Sequence, residues 1–190
     1  MKIKTLFFLS LFFLSFNLQA KEIEGAFGLK FNSHKESEDK KTKKIKFIPE
    51  EGFEFLMFQN YYYSVTPKTN KIYSISAEGN IINGCNKDLA FINKIIKDKY
   101  DIESNRKEIP LKFEKDGKIV KDSIVTYLFK ENSKQIMLSC DPEEEIIIIT
   151  YIELEAAAKA FKEAENLTNK ELTKEIKKLK EDDKLNTKGL

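Results

Sequence analysis

The 190-residue chain carries 33 basic and 31 acidic side chains, one histidine, two cysteines and no tryptophan, and its length supports one domain with a real core. Lys2 and Lys4 are the only charges in the first twenty residues, which leaves 31 of each sign in residues 21–190. That balance excludes bulk electrostatic attraction to nucleic acid or anionic lipid.

Residues 1–20 read as a signal peptide. Lys2 and Lys4 form a basic start, Leu6 to Leu18 is mostly Leu and Phe, and Leu18-Gln19-Ala20 ends in a small residue suited to signal peptidase. The apolar core is short and interrupted for a membrane span, so no stable anchor is expected after cleavage. The mature chain is expected in the periplasm or secreted. In that oxidising setting Cys85 and Cys140 are expected to form a structural disulfide. Two cysteines and one distant histidine make a poor zinc set, and no metal or cofactor is expected.

In the mature part, Phe27, Leu29 and Phe31 alternate within Gly25 to Phe31 and predict a short edge strand. Ser33 to Lys46 is a run of charge with no apolar residue before Ile45, read as a mobile loop, and His34 reads as a solvated residue within it. Lys46-Phe47-Ile48 predicts a short strand ended by Pro49. Asn60 to Thr66 and Lys71 to Ala77 alternate in strand period around Pro67-Lys68-Thr69-Asn70 and predict a hairpin. Its pattern groups Tyr61, Tyr63 and Val65, then Tyr62, Ser64 and Thr66, then Tyr73, Ile75 and Ala77. Gly79-Asn80 and Asn83-Gly84 break it. From Cys85 to Tyr100 the period turns helical. Leu89, Ile92, Ile96 and Tyr100 align, Phe91 and Ile95 widen the stripe, and Lys94, Lys97 and Asp98 lie opposite.

Asp101 to Glu108 reads as a polar link. Ile109 to Phe113 predicts a strand that Pro110 confines to a sheet edge. Lys115-Asp116-Gly117-Lys118 is two-residue hairpin chemistry, and Ile119 to Phe129 returns from it. Glu131 to Lys134 turns again into Gln135 to Cys140. Ile146 to Ile152 is continuously apolar and β-branched, as in a central strand covered on both faces. Cys140 shares a face with Ile136 and Leu138, so a bond to Cys85 places the helix there. Glu153 to Asn166 offers a seam of Leu154, Ala157, Phe161 and Ala164 for the opposite face. Thr168 to Glu171 fits a capping box, which predicts a break near 168 and a second, solvated or partner-seeking helix.

The expected fold is α+β: a mostly antiparallel sheet, made of a hairpin and a C-terminal meander, with one amphipathic helix packed on it and a C-terminal helical tail. The expected organisation is a signal peptide at 1–20, one domain over 21–152 with a charged loop at 33–46, and C-terminal helices and tail over 153–190. Several stretches carry a likeness: Gly25-Ala26-Phe27-Gly28-Leu29-Lys30-Phe31, Tyr63 to Thr69 running into Lys71-Ile72-Tyr73-Ser74-Ile75, and Cys85 before a helix with Cys140 closing a strand. Together they resemble a family of small, secreted, uncharacterised proteins of Gram-negative bacteria, over most of residues 23–152. A glycine is usual there after the Phe31 position, where this chain has Asn32. The resemblance implies a periplasmic location and a paired-cysteine fold, and it brings no activity and no site residue.

The expected function is a non-catalytic binding or interaction module of the cell envelope. Its partner would be another envelope protein or a peptide, and Tyr61, Tyr62, Tyr63 and Tyr73 would supply an interaction face. The alternatives are a carrier of a small ligand under the helix and a periplasmic enzyme. No serine stands in a nucleophile-elbow setting and no isolated carboxylate pair offers acid–base chemistry, so no catalytic residue is predicted.

Overall fold

The computed structural model describes residues 22–35, 44–52, 54–55, 57–115 and 117–186, without the side chains of 115, 176 and 178–186. The expected signal peptide, the centre of the charged loop and Asp116 of the expected turn lie outside the described residues. The elements are β1 (Gly25–Ala26), β2 (Leu29–Lys30), β3 (Ile45–Phe47), β4 (Asn60–Val65), β5 (Ile72–Asn80), α1 (Cys85–Tyr100), β6 (Ser104–Lys115), β7 (Lys118–Glu131), β8 (Lys134–Asp141), β9 (Ile146–Glu153) and α2 (Leu154–Asn186). β3 to β9 form one antiparallel sheet in the order β3-β4-β5-β9-β8-β7-β6, and β1 and β2 pair with each other. The fold is the α+β architecture expected of the pattern.

The β4–β5 hairpin closes as its turn residues dictate. Asn70 takes a left-handed φ of 49° and its N–H donates to the Thr66 carbonyl at 3.0 Å. Tyr61 and Tyr63 face Ala77 and Ile75 in register. A register shift then pairs Ser64 with Ser74 but Val65 with Ile72, leaving Tyr73 without an opposite residue. Tyr73 consequently departs from the expected grouping: Ile75 and Ala77 join the main core, whereas Tyr73 packs with Ala156, Ala157 and Ala160 of α2. β5 also runs through Gly79-Asn80, where a break was expected. The segment around Gly25 is likewise no single strand. Phe27 and Gly28 both have left-handed φ, 52° and 84°, and fold it into a two-residue hairpin.

α1 buries Leu89, Ile92, Ile96 and Tyr100 against the face bearing Ile136, Leu138 and Cys140, as the cysteine parity implied. Each aliphatic side chain so buried stabilises the fold by about 1.5–3 kcal/mol. Phe91 does not widen the stripe: it is 56% exposed, because two residues beyond Leu89 it sits about 200° round the helix. The helix head is fixed twice. Cys85 and Cys140 are bonded with Cα atoms 5.6 Å apart, and the Asp88 carboxylate accepts from the Ile82 N–H (2.7 Å), the Asn83 N–H (2.9 Å) and the Asn83 amide (3.0 Å).

Burial pushes the Asp88 carboxyl up, yet those hydrogen bonds and the Lys87 charge outweigh it and hold the group below the ordinary aspartate value. A carboxyl depressed in the folded state stabilises the fold above its unfolded pKa, and the contribution is lost as pH falls through the folded value. Asp88→Ala should cost about 1–3 kcal/mol at neutral pH and shrink that acid-dependent loss. Melts of both proteins from pH 7 down to pH 2 measure the difference; parallel curves would contradict it.

β6 begins at Ser104, inside the stretch expected to be a polar link, because its backbone pairs with β7 from Ser104↔Phe129 to Lys115↔Lys118. β8 pairs β7 only from Val125 to Glu131, so the far parts of β6 and β7 project as a two-stranded arm. β9 is central, and its Ile147, Ile149 and Tyr151 are buried on the α1 side. Its other face is not covered along its length: Ile146, Ile148 and Thr150 are half-buried, and Ile152 alone joins the α2 cluster.

α2 is one helix where two were expected. Thr168 does not cap a restart, since its Oγ1 donates back to the Ala164 carbonyl at 3.2 Å and the backbone continues. The expected seam also shifts: Ala156, Ala157, Ala160 and Glu163 are buried, while Leu154 and Phe161 are 39% and 67% exposed. Alanines allow close approach to Tyr73, and the Glu163 carboxylate accepts the Lys68 N–H at 2.9 Å, tying the helix to the β4–β5 turn. The Glu153 carboxylate caps the helix start through the Ala156 N–H at 2.6 Å. Residues 168–175 and 177 are exposed. Deleting Glu171 to Leu190 should leave the melting temperature within a few degrees of the full chain; a lost transition would place that segment in the core.

Candidate functional site

The loop between β3 and β4 and the β1–β2 hairpin bring aromatic side chains beneath α1. The Tyr61 hydroxyl organises the loop from below. It accepts the Phe55 N–H at 3.0 Å and lies 3.1 and 3.2 Å from the Phe55 and Phe58 carbonyls. The chain can cross β5 here only because Gly79 has no side chain: a Cβ there would lie 1.8 Å from the Met57 carbonyl oxygen. Phe27 enters from the other side. Its ring meets Tyr61, Tyr151 and Phe58 edge-on, with centroids 5.0, 5.8 and 6.3 Å away. A phenylalanine with positive φ costs about 1 kcal/mol, and that strain is held in the turn that delivers its ring.

Between these rings and α1 lies a cavity of about 180 Å³. Ile149, Tyr151 and Ala26 are part of its wall, with Phe27, Phe55 and Phe58; Ile92, Ile95, Ile96 and Tyr100 come from α1; Gly52, Glu54 and Lys99 complete the lining. Burial pushes the Tyr100 phenol up to about 12; the bond from Tyr151 lowers it and the Glu131 charge raises it. Burial also pushes Tyr151 far above the ordinary phenol value, with Tyr100 adding to the shift. Both therefore stay protonated and neutral through the physiological range. Such a wall can bury an apolar group and offer it hydroxyl contact. Two wider grooves, about 520 Å³ beside Cys85 and about 370 Å³ beside Lys159, are lined mainly by polar side chains and open to solvent.

The four tyrosines expected to share an interaction face are dispersed. Tyr61 is buried under the loop, Tyr73 is buried against α2, and Tyr63 is half-buried beside Phe47. Tyr62 lies on the opposite sheet face from Tyr61, with the Lys44 ammonium 4.1 Å from its ring centre. Strand alternation and the shift before Tyr73 separate them. His34 is exposed and forms an isolated bridge with Lys71. Sequence reading missed Phe27, Phe55, Phe58, Tyr100 and Tyr151 as one set. The usable signal was Gly79 inside a strand pattern, which marks a close backbone approach.

The fold and site define a disulfide-stapled α+β protein with an aromatic cavity between its sheet and its first helix. No protein-family model, curated protein or solved structure matches the chain. No helix among the described residues is long and apolar enough to cross a membrane. The disulfide is compatible with an oxidising, exported location.

Proposed function

We propose that this chain is an exported, non-catalytic binding module of the cell envelope, and that it holds a small apolar group in the cavity under α1. The group is an aromatic ring or short aliphatic chain, carried by a free ligand or by a peptide partner. The observation that carries this reading is the aromatic-walled, partly open volume of about 180 Å³ beneath α1. An apolar cavity of about 150 Å³ is enough to take a benzene-sized molecule. The leader-like residues 1–20 and the paired cysteines support export, and membership of the secreted family that the chain resembles belongs to the same reading. No nucleic acid, metal or cofactor enters it.

Thermal melts with benzene, indole and hexanoate, and with glucose as a polar control, test the proposal. At a hundredfold excess over Kd a ligand stabilises the folded state by about 2.7 kcal/mol, roughly 5–10 °C here. At least one apolar probe should raise the transition while glucose leaves it in place. No shift with any apolar probe up to its solubility would refute the assignment.

A further inference from the structure

The sheet face opposite α1 is only partly covered, and it lies outside the proposed cavity. α2 lies on β5 and β9, and the rest of the face stays open among the described residues. The registers place Ile146 and Ile148 of β9, Met137 of β8 and Ile124 and Leu128 of β7 on this side, and none belongs to either packed cluster. Pairing continues the same face onto the projecting arm through Ile109↔Ile124, Leu111↔Asp122 and Phe113↔Val120. The arm's other face carries Glu108, Lys112, Glu114 and Lys121 with Ile119 and Pro110 as its apolar residues, so the apolar side chains are concentrated on the first face but not confined to it. A two-stranded ribbon is marginal in water unless its apolar face packs on something.

We infer that this face is covered by the same face of a second copy of the chain, in a two-fold, sheet-on-sheet dimer. Strands about 4.8 Å apart, over about five residues of β6–β9 and six more of the arm, give roughly 500 Å² of flat sheet per copy. Two such faces approach the roughly 1,000 Å² a specific interface must clear, before side-chain relief is counted. Lys107 and Lys118 share this face with Asp122 and Asp141, so a two-fold rotation can set lysines against carboxylates, while Glu78 is already paired with Lys44. Residues 21–190 balance at 31 charges of each sign, so no net repulsion keeps copies apart. Association by the free β6 edge is disfavoured, because Pro110 lacks an N–H and Lys107 and Lys112 flank it.

Sedimentation equilibrium of the mature chain with its disulfide intact tests the dimer. Twice the monomer mass is expected in the micromolar range, with Ile148→Lys weakening association at least tenfold. Should Ile148→Lys fail to fold, Ile109→Glu carries the same test, since that side chain is 60% exposed and its replacement leaves the core alone. A monomer throughout the micromolar range, an open series of larger oligomers, or a folded variant that dimerises as tightly as the parent overturns the inference.

Discussion

Replacing Cys85 with serine should lower the melting temperature by about 10 °C. The bond to Cys140 closes a loop of 55 positions, and the chain-entropy estimate for that length is about 4 kcal/mol. Each kcal/mol moves the transition of a domain this size by roughly 2–4 °C. Cys140 is fully buried beside Ile136 and Leu138, so Cys140→Ser also leaves a hydroxyl in the core and should fall slightly further. The double variant should be close to the worse single one, because each substitution removes the same bond. Additive losses, or a transition unmoved by dithiothreitol, would show that α1 is held to the sheet by packing alone.

Gly79→Ala should be the other costly substitution. The new methyl carbon would meet the Met57 carbonyl oxygen at 1.8 Å and the carbonyl carbon at 2.8 Å, atoms of backbone that no rotamer change can move aside. Overpacking of this kind costs about 1–3 kcal/mol, and the upper end is expected here. The loop carrying Phe55 and Phe58 would have to lift off β5, so the cavity wall moves with it. The variant should therefore lose both stability and any probe binding in the cavity. Equal melting temperatures for Gly79→Ala and the parent would contradict the close crossing.

The elements that announced themselves were those with a clean period. The stripe Leu89, Ile92, Ile96 and Tyr100 specified α1, alternation around Pro67 to Asn70 specified the β4–β5 hairpin, and the parity of Cys140 with Ile136 and Leu138 placed α1 on its sheet face. Long-range order was less visible. β9 inserts between β5 and β8, and no local pattern in Ile146 to Ile152 names either neighbour. A continuous apolar run cannot say whether both faces are covered, and here one is covered only at Ile152. The alanines of α2 carry too little hydrophobic signal against Leu154 and Phe161, so the pattern points to a different stripe of the helix from the one that packs. The cavity was least legible of all. Its wall comes from an aperiodic loop, a strained turn at Phe27 and tyrosines from two separate elements, which only the tertiary fold assembles.

The most direct measurement of the central claim is an NMR titration of the disulfide-bonded protein with indole, run beside Ile149→Phe. Ile149 lies in the cavity wall and is almost fully buried, so a phenylalanine there puts a larger side chain into the space that a ligand ring would use. In the parent, amide shifts are expected to concentrate at Ala26, Phe58, Ile92, Ile96 and Tyr151 and to saturate. In the folded variant they should require at least tenfold more indole. Shifts scattered over the surface, or the same binding curve for both proteins, would contradict a ligand site beneath α1.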